Sequence, residues 1–485
     1  MSGKLAIETR SIDVIPGTER HGSPTNQFTL WLGANLQITA IVDGALAVVF
    51  GSHPLWAIVA LLIGNIAGGT VMALHSAQGP RLGLPQMISS RAQFGVYGAV
   101  VPLALVILMY LGFTATGTVL SGQAINAFLH VDQPAIGIVL FIVVVAVISI
   151  IGYNLIHKVG KIASLLGIVG FGYLAVQLFV QHDVAAAFAH PSFDIVPFLL
   201  SVALAAGWQM TFGPYVADYS RYLPEETPDR TVFWSTFAGS VGGAQISMTF
   251  GVAVAAVAGD AFLSSQVGWL GTLAGTALLA ALIYLLIVVG KLTVTCLNAY
   301  GSFMCATTIV TAFTGSQRVS RRVRVVFILS MLALAMLIAL WASADFLNNF
   351  KNFVLLLLLV FTPWSAINLT DYYLISKERV DLPALYDPDG RYGRWNVPAL
   401  TSYFVGIAAQ IPFLAQTIYT GPVTKMIGGA DISWIVGLVV PAVLFYLWAS
   451  RRNVAPPAMI PMPGIRTSSV ASQVLTDPLQ ATGGH

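Results

Sequence analysis

The sequence predicts an all-α integral membrane protein with twelve transmembrane helices and both termini in the cytoplasm. Three observations predict it. The 485 residues are 56% hydrophobic and only 9% charged, with a mean hydropathy of +0.80, whereas soluble domains carry about a quarter charged residues. Apolar runs near the ~20 residues needed to cross a bilayer fall near 28–50, 54–74, 99–121, 134–152, 162–181, 196–217, 232–258, 277–305, 325–344, 352–374, 398–419 and 432–449. With a cytoplasmic N-terminus, every one of the 23 Lys and Arg residues except Lys291, Lys351 and Lys425 falls on an inner segment. A wrong span count would scramble that asymmetry, so the positive-inside rule supports both count and orientation.

Taken in order, residues 1–27 are polar and lack the apolar core of a secretory signal, so targeting is expected from the first span. That span carries Gly33, Asn35 and Gln37 within an apolar run. Amides bridging packed helices account for them; so does an unwound stretch whose carbonyls coordinate a cation, with Gln37 facing a substrate. Asp43 follows in the same span. The 81–98 and 377–396 segments hold Gly, Pro and charge and read as ordered cytoplasmic connectors. In the third span, Tyr110 offers an aromatic face, with Thr114 one helical turn further on.

The stretch from Ala205 to Tyr222 is the least regular part of the pattern. Gly207, Gly213 and Pro214 weaken or remove intrahelical hydrogen bonds, and Trp208 and Gln209 place a π face and an amide beside the weak point. An interruption at membrane depth persists only where it is buried in protein or lines a cavity. A polar cavity is therefore expected at Gly207–Trp208. Soft points in spans 1 and 6, five spans apart, fit two inverted halves with a site between them. The halves would run over about 28–181 and 196–374, with two extra helices over about 398–449.

Span 8 brings Lys291, Thr293 and Asn298 to membrane depth. An ionisable residue there is a functional candidate by default, and Asp43 is the expected partner of Lys291. A structural Lys–Asp pair is one reading; a lysine that exchanges a coupling proton is the other. The tail, 450–485, is rich in Pro, Ser, Thr and Gly and is expected to be disordered.

Other function classes find little here. Only Cys296 and Cys305 are available for thiol chemistry, which provides no paired metal-binding motif. There is no phosphate loop, no nucleophile motif paired with a buried histidine, no repeated filter sequence and no soluble domain to drive an ATP-powered pump. No enzyme activity and no cofactor are expected.

Seven motifs together carry a resemblance: Glu19-Arg-His-Gly22, Trp31-Leu-Gly-Ala-Asn-Leu-Gln37, Gly79-Pro-Arg-Leu-Gly-Leu-Pro-Gln-Met87, Ser90-Arg-Ala-Gln-Phe-Gly95, Val216-Ala-Asp-Tyr-Ser-Arg-Tyr222, Leu297-Asn-Ala-Tyr300 and Asp371-Tyr-Tyr373. In this order the chain resembles the nucleobase:cation symporter-1 family, the purine–cytosine permease-like transporters. The resemblance implies a LeuT-like fold of two inverted five-helix repeats plus two helices, with broken helices 1 and 6. It implies inward transport of a flat heterocycle with Na⁺ or H⁺. Gly33 and Leu36 would match span-1 carbonyls of a cation site, Val289 a further carbonyl and Thr293 its hydroxyl. Gln37, Gly207–Trp208 and Asn298 would match the substrate contacts. Three departures stand out: Tyr110 and Thr114 replace a Trp and a Gln of the hydantoin-transporting branch, and Leu292 replaces a Ser beside Thr293. The lost oxygen and the adjacent Lys291 favour H⁺ over Na⁺. The expected function is a plasma-membrane symporter for a nucleobase, with allantoin, hydantoin or a vitamin precursor as alternatives. A polytopic receptor or membrane enzyme, which would bind without accumulation, is the reading from outside the class.

Overall fold

The computed structural model describes residues 13–151, 153–315, 320–417, 419–451 and 454–463. Positions 1–12, Arg318 and the tail beyond Pro463 lie outside the described residues. Apart from a short hairpin pairing Ala415–Gln416 with Tyr419–Thr420, and one isolated bridge from Asp381 to Ile460, the described residues are helical or connecting.

The first span is two helices, α1 (Pro24–Asn35) and α2 (Ile38–Val49), bent by 60° at Leu36–Gln37. Pro24 sits at the first turn, where its missing N–H costs nothing. Gln37 is fully extended, at φ −149° and ψ 160°, which ends one helix and begins the next. Helix α3 (Pro54–Leu82) stops at Gly83, whose φ of 62° is a left-handed cap suited to glycine. Two short helices, α4 (Gln86–Ser89) and α5 (Arg91–Phe94), lead into α6 (Val100–Leu129). Then come α7 (Pro134–Ile151), α8 (Tyr153–Gln181), α9 (Ile195–Met210) and α10 (Asp229–Ala258). The chain continues with α11 (Ala277–Thr314), α12 (Arg321–Ala342), α13 (Phe346–Leu369), α14 (Val397–Gln410) and α15 (Ser433–Ala449).

Among the described residues, six stretches can cross a bilayer by length and composition, or seven if the bent α1–α2 pair is one span, and four further apolar helices are shorter. Two groups of helices stand out, with α13, α14 and α15 packed together beside them. One joins α1, α2, α3, α9 and α10; the other joins α6, α7, α8, α11 and α12. Small residues let the first group close backbone to backbone. A Cβ at Gly251 of α10 would stand 1.8 Å from the Ile41 carbonyl oxygen, and one at Gly44 would stand 2.2 Å from that of Met248. Without a hydrophobic drive between helices in lipid, such close contact is a main source of cohesion.

Two expectations need correction. The helix of the sixth span does not yield at Gly207–Trp208. It runs unbroken to Met210 and becomes irregular only from Thr211, before a tight turn at Gly213–Tyr215 and a single helical turn at Ala217–Ser220. Pro214 lacks the N–H that would continue the ladder, so regular winding stops just ahead of it. The tail is not wholly unstructured either. Leu382 N–H donates to the Ile460 carbonyl and Ile460 N–H to that of Val380, both at 3.0 Å. Met459 and Met462 pack on a cluster containing Val14, Leu82, Tyr372 and Leu385, a burial that Pro- and Ser-rich composition concealed. The 377–396 connector beneath it is ordered, and Arg91 of α5 ties it to α11 by donating to the Leu385 and Thr308 carbonyls at 3.1 and 3.2 Å.

Candidate functional site

A cavity of about 880 Å³ lies between the two helix groups. Trp208 of α9, Tyr110 of α6, Gln37 at the α1–α2 bend and Asn298 of α11 line it. It continues past Tyr215 to Asn26, Asp218, Arg221 and Thr308, the side of the molecule where α1 begins. A mostly apolar cavity with a few convergent polar groups is the usual form of a small-molecule site.

Trp208 is 2% exposed, and its ring is held from several directions. Its indole N–H donates to Asn35 Oδ1 at 2.7 Å. Phe113 and Phe212 meet it edge-on, at 5.9 and 5.8 Å between centroids. Asn35, fully buried, in turn donates to the Trp31 carbonyl at 2.8 Å and to Ser240 Oγ at 3.1 Å. The indole is thus clamped at the end of α1 and against α10. Tyr110 packs against Gly301, where a Cβ would come within 2.7 Å of its ring, and lies 5.7 Å from the Tyr215 ring.

At the bend, Gln37 donates through Nε2 to the Ala34 carbonyl at 2.8 Å and accepts from Thr39 Oγ1 at 3.0 Å and Lys291 Nζ at 2.6 Å. Lys291 Nζ also donates to Thr39 Oγ1. Its stem crosses from α11 to α2 beside Gly117 of α6. Gly33, Leu36, Gln37, Lys291 and Thr293 border a second space of about 100 Å³. Thr293 Oγ1 donates to the Val289 carbonyl at 3.2 Å.

Of the residues expected at a site, Gly33, Gln37, Tyr110, Trp208, Lys291, Thr293 and Asn298 line the main cavity, and Leu36 the smaller space beside it. The others lie elsewhere. Gly207 faces α13, where a Cβ would meet Val354 at 3.0 Å. Gln209 points into the first helix group, donating to Asn65 Oδ1 at 3.0 Å and accepting from Ser240 Oγ at 2.6 Å. Consecutive positions on a helix do not face the same way, so the neighbours of Trp208 turn from the cavity. Thr114 is buried but does not line the cavity. Val289 borders neither space. The expected Lys291–Asp43 pair is not formed: Lys291 bonds to Gln37 and Thr39, and the buried Asp43 carboxyl has no hydrogen-bond partner. The bend brings neutral oxygens nearer to the ammonium than the carboxylate. Asn35 and Thr39 are the functional candidates missed. Asn35 stood in the first-span motif as a polar residue at depth, whereas nothing in the sequence singled out Thr39.

A buried polar chain joins α3, α4, α5 and α13. His75 stacks on Trp364 at 4.6 Å and bonds to Ser365 Oγ at 3.1 Å. Gln78 donates to Asn368 Oδ1 at 2.9 Å, Asn368 to Gln93 Oε1 at 3.1 Å, and Gln93 to Asp371 Oδ2 at 2.8 Å. The Asp218 carboxylate accepts from Gln86 N–H at 2.8 Å, at the start of α4 and at the rim of the cavity.

Comparison with known proteins places this geometry. Residues 14–437 match the family described as permease for cytosine/purines, uracil, thiamine and allantoin. A Bacillus subtilis protein assigned as a purine–cytosine permease is 36% identical over 92% of this chain and 97% of its own length. The purine–cytosine permease of Emericella nidulans is 24% identical over 91% of this chain and 88% of its own. Among solved structures, the inward-facing conformation of Mhp1 superposes with a TM-score of 0.74 at 18% identity, covering 95% of this chain and all of Mhp1. Mhp1 in a closed conformation with bromovinylhydantoin bound, described as a nucleobase-cation-symport-1 family transporter, gives 0.71 over 92% of this chain and 96% of that one. The fold is therefore the LeuT-like transporter fold of Mhp1.

Proposed function

The chain belongs to the family of permeases for cytosine/purines, uracil, thiamine and allantoin, and from that premise we propose that it is a symporter importing a nucleobase-like planar heterocycle with a proton. As a member of a permease family it is a multi-pass membrane transporter and not an enzyme. The observation that carries the substrate reading is the meeting of the Trp208 ring with the Gln37 and Asn298 amides on one cavity. A flat ring stacked on indole gains about 0.5–1.5 kcal/mol beyond its burial. Amides at its edge reject wrong partners because an unmatched buried polar group costs about 1–3 kcal/mol. The purine–cytosine relatives, at 36% and 24% identity, favour a nucleobase, and the 25% identical allantoin permease of Bacillus subtilis keeps a ureide as the second reading.

We read twelve spans: the bent α1–α2 pair once, the four shorter helices once each, and the 54-residue Arg322–Ile375 stretch twice. At 1.5 Å per residue that stretch would be about 80 Å long, more than two bilayer cores, and Ser343–Asp345 interrupts it. The spans form two inverted repeats of five plus two helices, in the plasma membrane with both termini cytoplasmic. The cavity reaches the exposed residues Asn26, Thr29 and Tyr219 on the side where α1 begins, which the positive-inside pattern assigns to the cytoplasm, and we read this as a release-side conformation in an alternating-access cycle.

The coupling ion is assigned as H⁺. Lys291 borders the same small space as Gly33, Leu36 and Thr293, and Na⁺ there would face a like charge. Leu292 contributes no side-chain oxygen. A cation drives transport only if it binds one conformation better than the other, and a lysine reaching from α11 to α2 spans the two helix groups whose separation changes.

Equilibrium competition binding on purified protein tests the substrate site with cytosine, hypoxanthine, uracil and allantoin. Trp208→Ala is expected to weaken every ligand by about tenfold. Asn298→Ala is expected to weaken the preferred ligand by about fivefold or more and to change the ranking. Unchanged affinities in both variants would overturn the assignment of this cavity.

A further inference from the structure

A free glutamine amide reads either sign of hydrogen bond by turning over, but Gln37 is not free. Its oxygen has two lone pairs, and Lys291 Nζ and Thr39 Oγ1 occupy both. Its NH₂ has two hydrogens, and the Ala34 carbonyl takes one. Thr39 closes the triangle by accepting from Lys291 while donating to Gln37. Turning the amide would set its NH₂ against the lysine and its oxygen against a carbonyl. Buried mismatches of this kind cost about 1–3 kcal/mol apiece. The lysine is buried, at 4% exposure, its stem lying beside Gly117 of α6 and its ammonium held by Gln37 and Thr39. Gln37 and Lys291 both border the main cavity.

We propose that Lys291 is a specificity-determining residue, which fixes the polarity of the Gln37 amide so that this end of the cavity offers a donor and refuses a second donor. The ligand edge set against Gln37 then carries an acceptor, a carbonyl oxygen or an unprotonated ring nitrogen, and an exocyclic amine is disfavoured there. The inference rests on the reading that a planar heterocycle occupies the cavity. It is separate from ion coupling, because the constraint is steric and hydrogen-bonding in kind.

The test is equilibrium competition binding on purified full-length protein, at one pH and without gradients. It uses two pairs that differ by an oxo-for-amino exchange: hypoxanthine with adenine, and uracil with cytosine. Lys291→Met keeps the stem and removes the donor, releasing the amide to accept as well as donate. The affinity ratio of at least one pair is expected to shift toward the amino member by about fivefold or more. Thr39→Val should shift the same ratio the same way by less, and Lys291→Arg should stay near the wild type. Ratios unchanged in both Lys291→Met and Thr39→Val, or shifted toward the oxo members, would overturn the inference while leaving the substrate site standing. If the wild type binds none of the four, the reading of the cavity fails and this inference falls with it. Thr39→Val decides the matter if Lys291→Met does not fold.

Discussion

Replacing Asn35 with alanine isolates how firmly the stacking surface is held. Asn35 Oδ1 is the acceptor for the Trp208 indole N–H at 2.7 Å, and both residues are buried. The substitution leaves that N–H without a partner among rings that offer only edges. Hydrogen bonds between membrane helices contribute about 0.6–2 kcal/mol, so about 1 kcal/mol of orienting energy is lost. The released indole no longer presents one fixed plane, and the substrate forfeits the stacking gain of about 0.5–1.5 kcal/mol, or about 2- to 12-fold in affinity. Trp208→Phe removes the N–H while keeping a ring, so Asn35→Ala on that background should add little. A double-mutant cycle of dissociation constants over the four forms, with melting temperatures recorded for each, should return a coupling of about 1 kcal/mol. Additive effects, or wild-type affinity in Asn35→Ala, would refute the clamp.

Two further substitutions and one truncation separate the cavity from its surroundings. A Cβ at Gly301 would stand 2.7 Å from Tyr110 Cζ, so Gly301→Ala should push that ring into the cavity and weaken bicyclic purines by about fivefold more than pyrimidines, as read by competition. Gln209→Ala breaks bonds to Asn65 and Ser240. It should lower thermal stability by about 1–3 kcal/mol and leave the ranking of heterocycles unchanged in the same binding assay. Truncation after Asn453 removes the two backbone bonds at Ile460 and the packing of Met459 and Met462. A melting temperature lowered by several degrees, with ligand ranking intact, is the expected result, and an unchanged melt would mean that the segment contributes nothing.

The multi-pass membrane character was readable because lipid imposes a simple rule: long apolar runs stand out without reference to partners. The central side chains were readable for a related reason, since Trp208, Gln37 and Asn298 are conspicuous at membrane depth. What surrounds them was not. Asn35 and Trp208 are separated by 173 positions, and no local pattern announces such a pair. Gly207 and Gln209 flank Trp208 in sequence but point to other helices, because each residue turns about 100° from the last. Charge complementarity suggested Asp43 for Lys291, yet the bend at Leu36–Gln37 carries the oxygens of Gln37 and Thr39 to the ammonium first. Composition, likewise, could not reveal that Met459 and Met462 have a cluster to join.

Radiolabelled uptake into proteoliposomes, with cytosine, hypoxanthine, uracil and allantoin compared under separate Na⁺ and pH gradients, tests the account most directly. The account predicts accumulation of a nucleobase driven by the pH gradient alone, with counterflow retained but accumulation lost in Lys291→Ala. Accumulation that requires Na⁺ and persists in Lys291→Ala would contradict it.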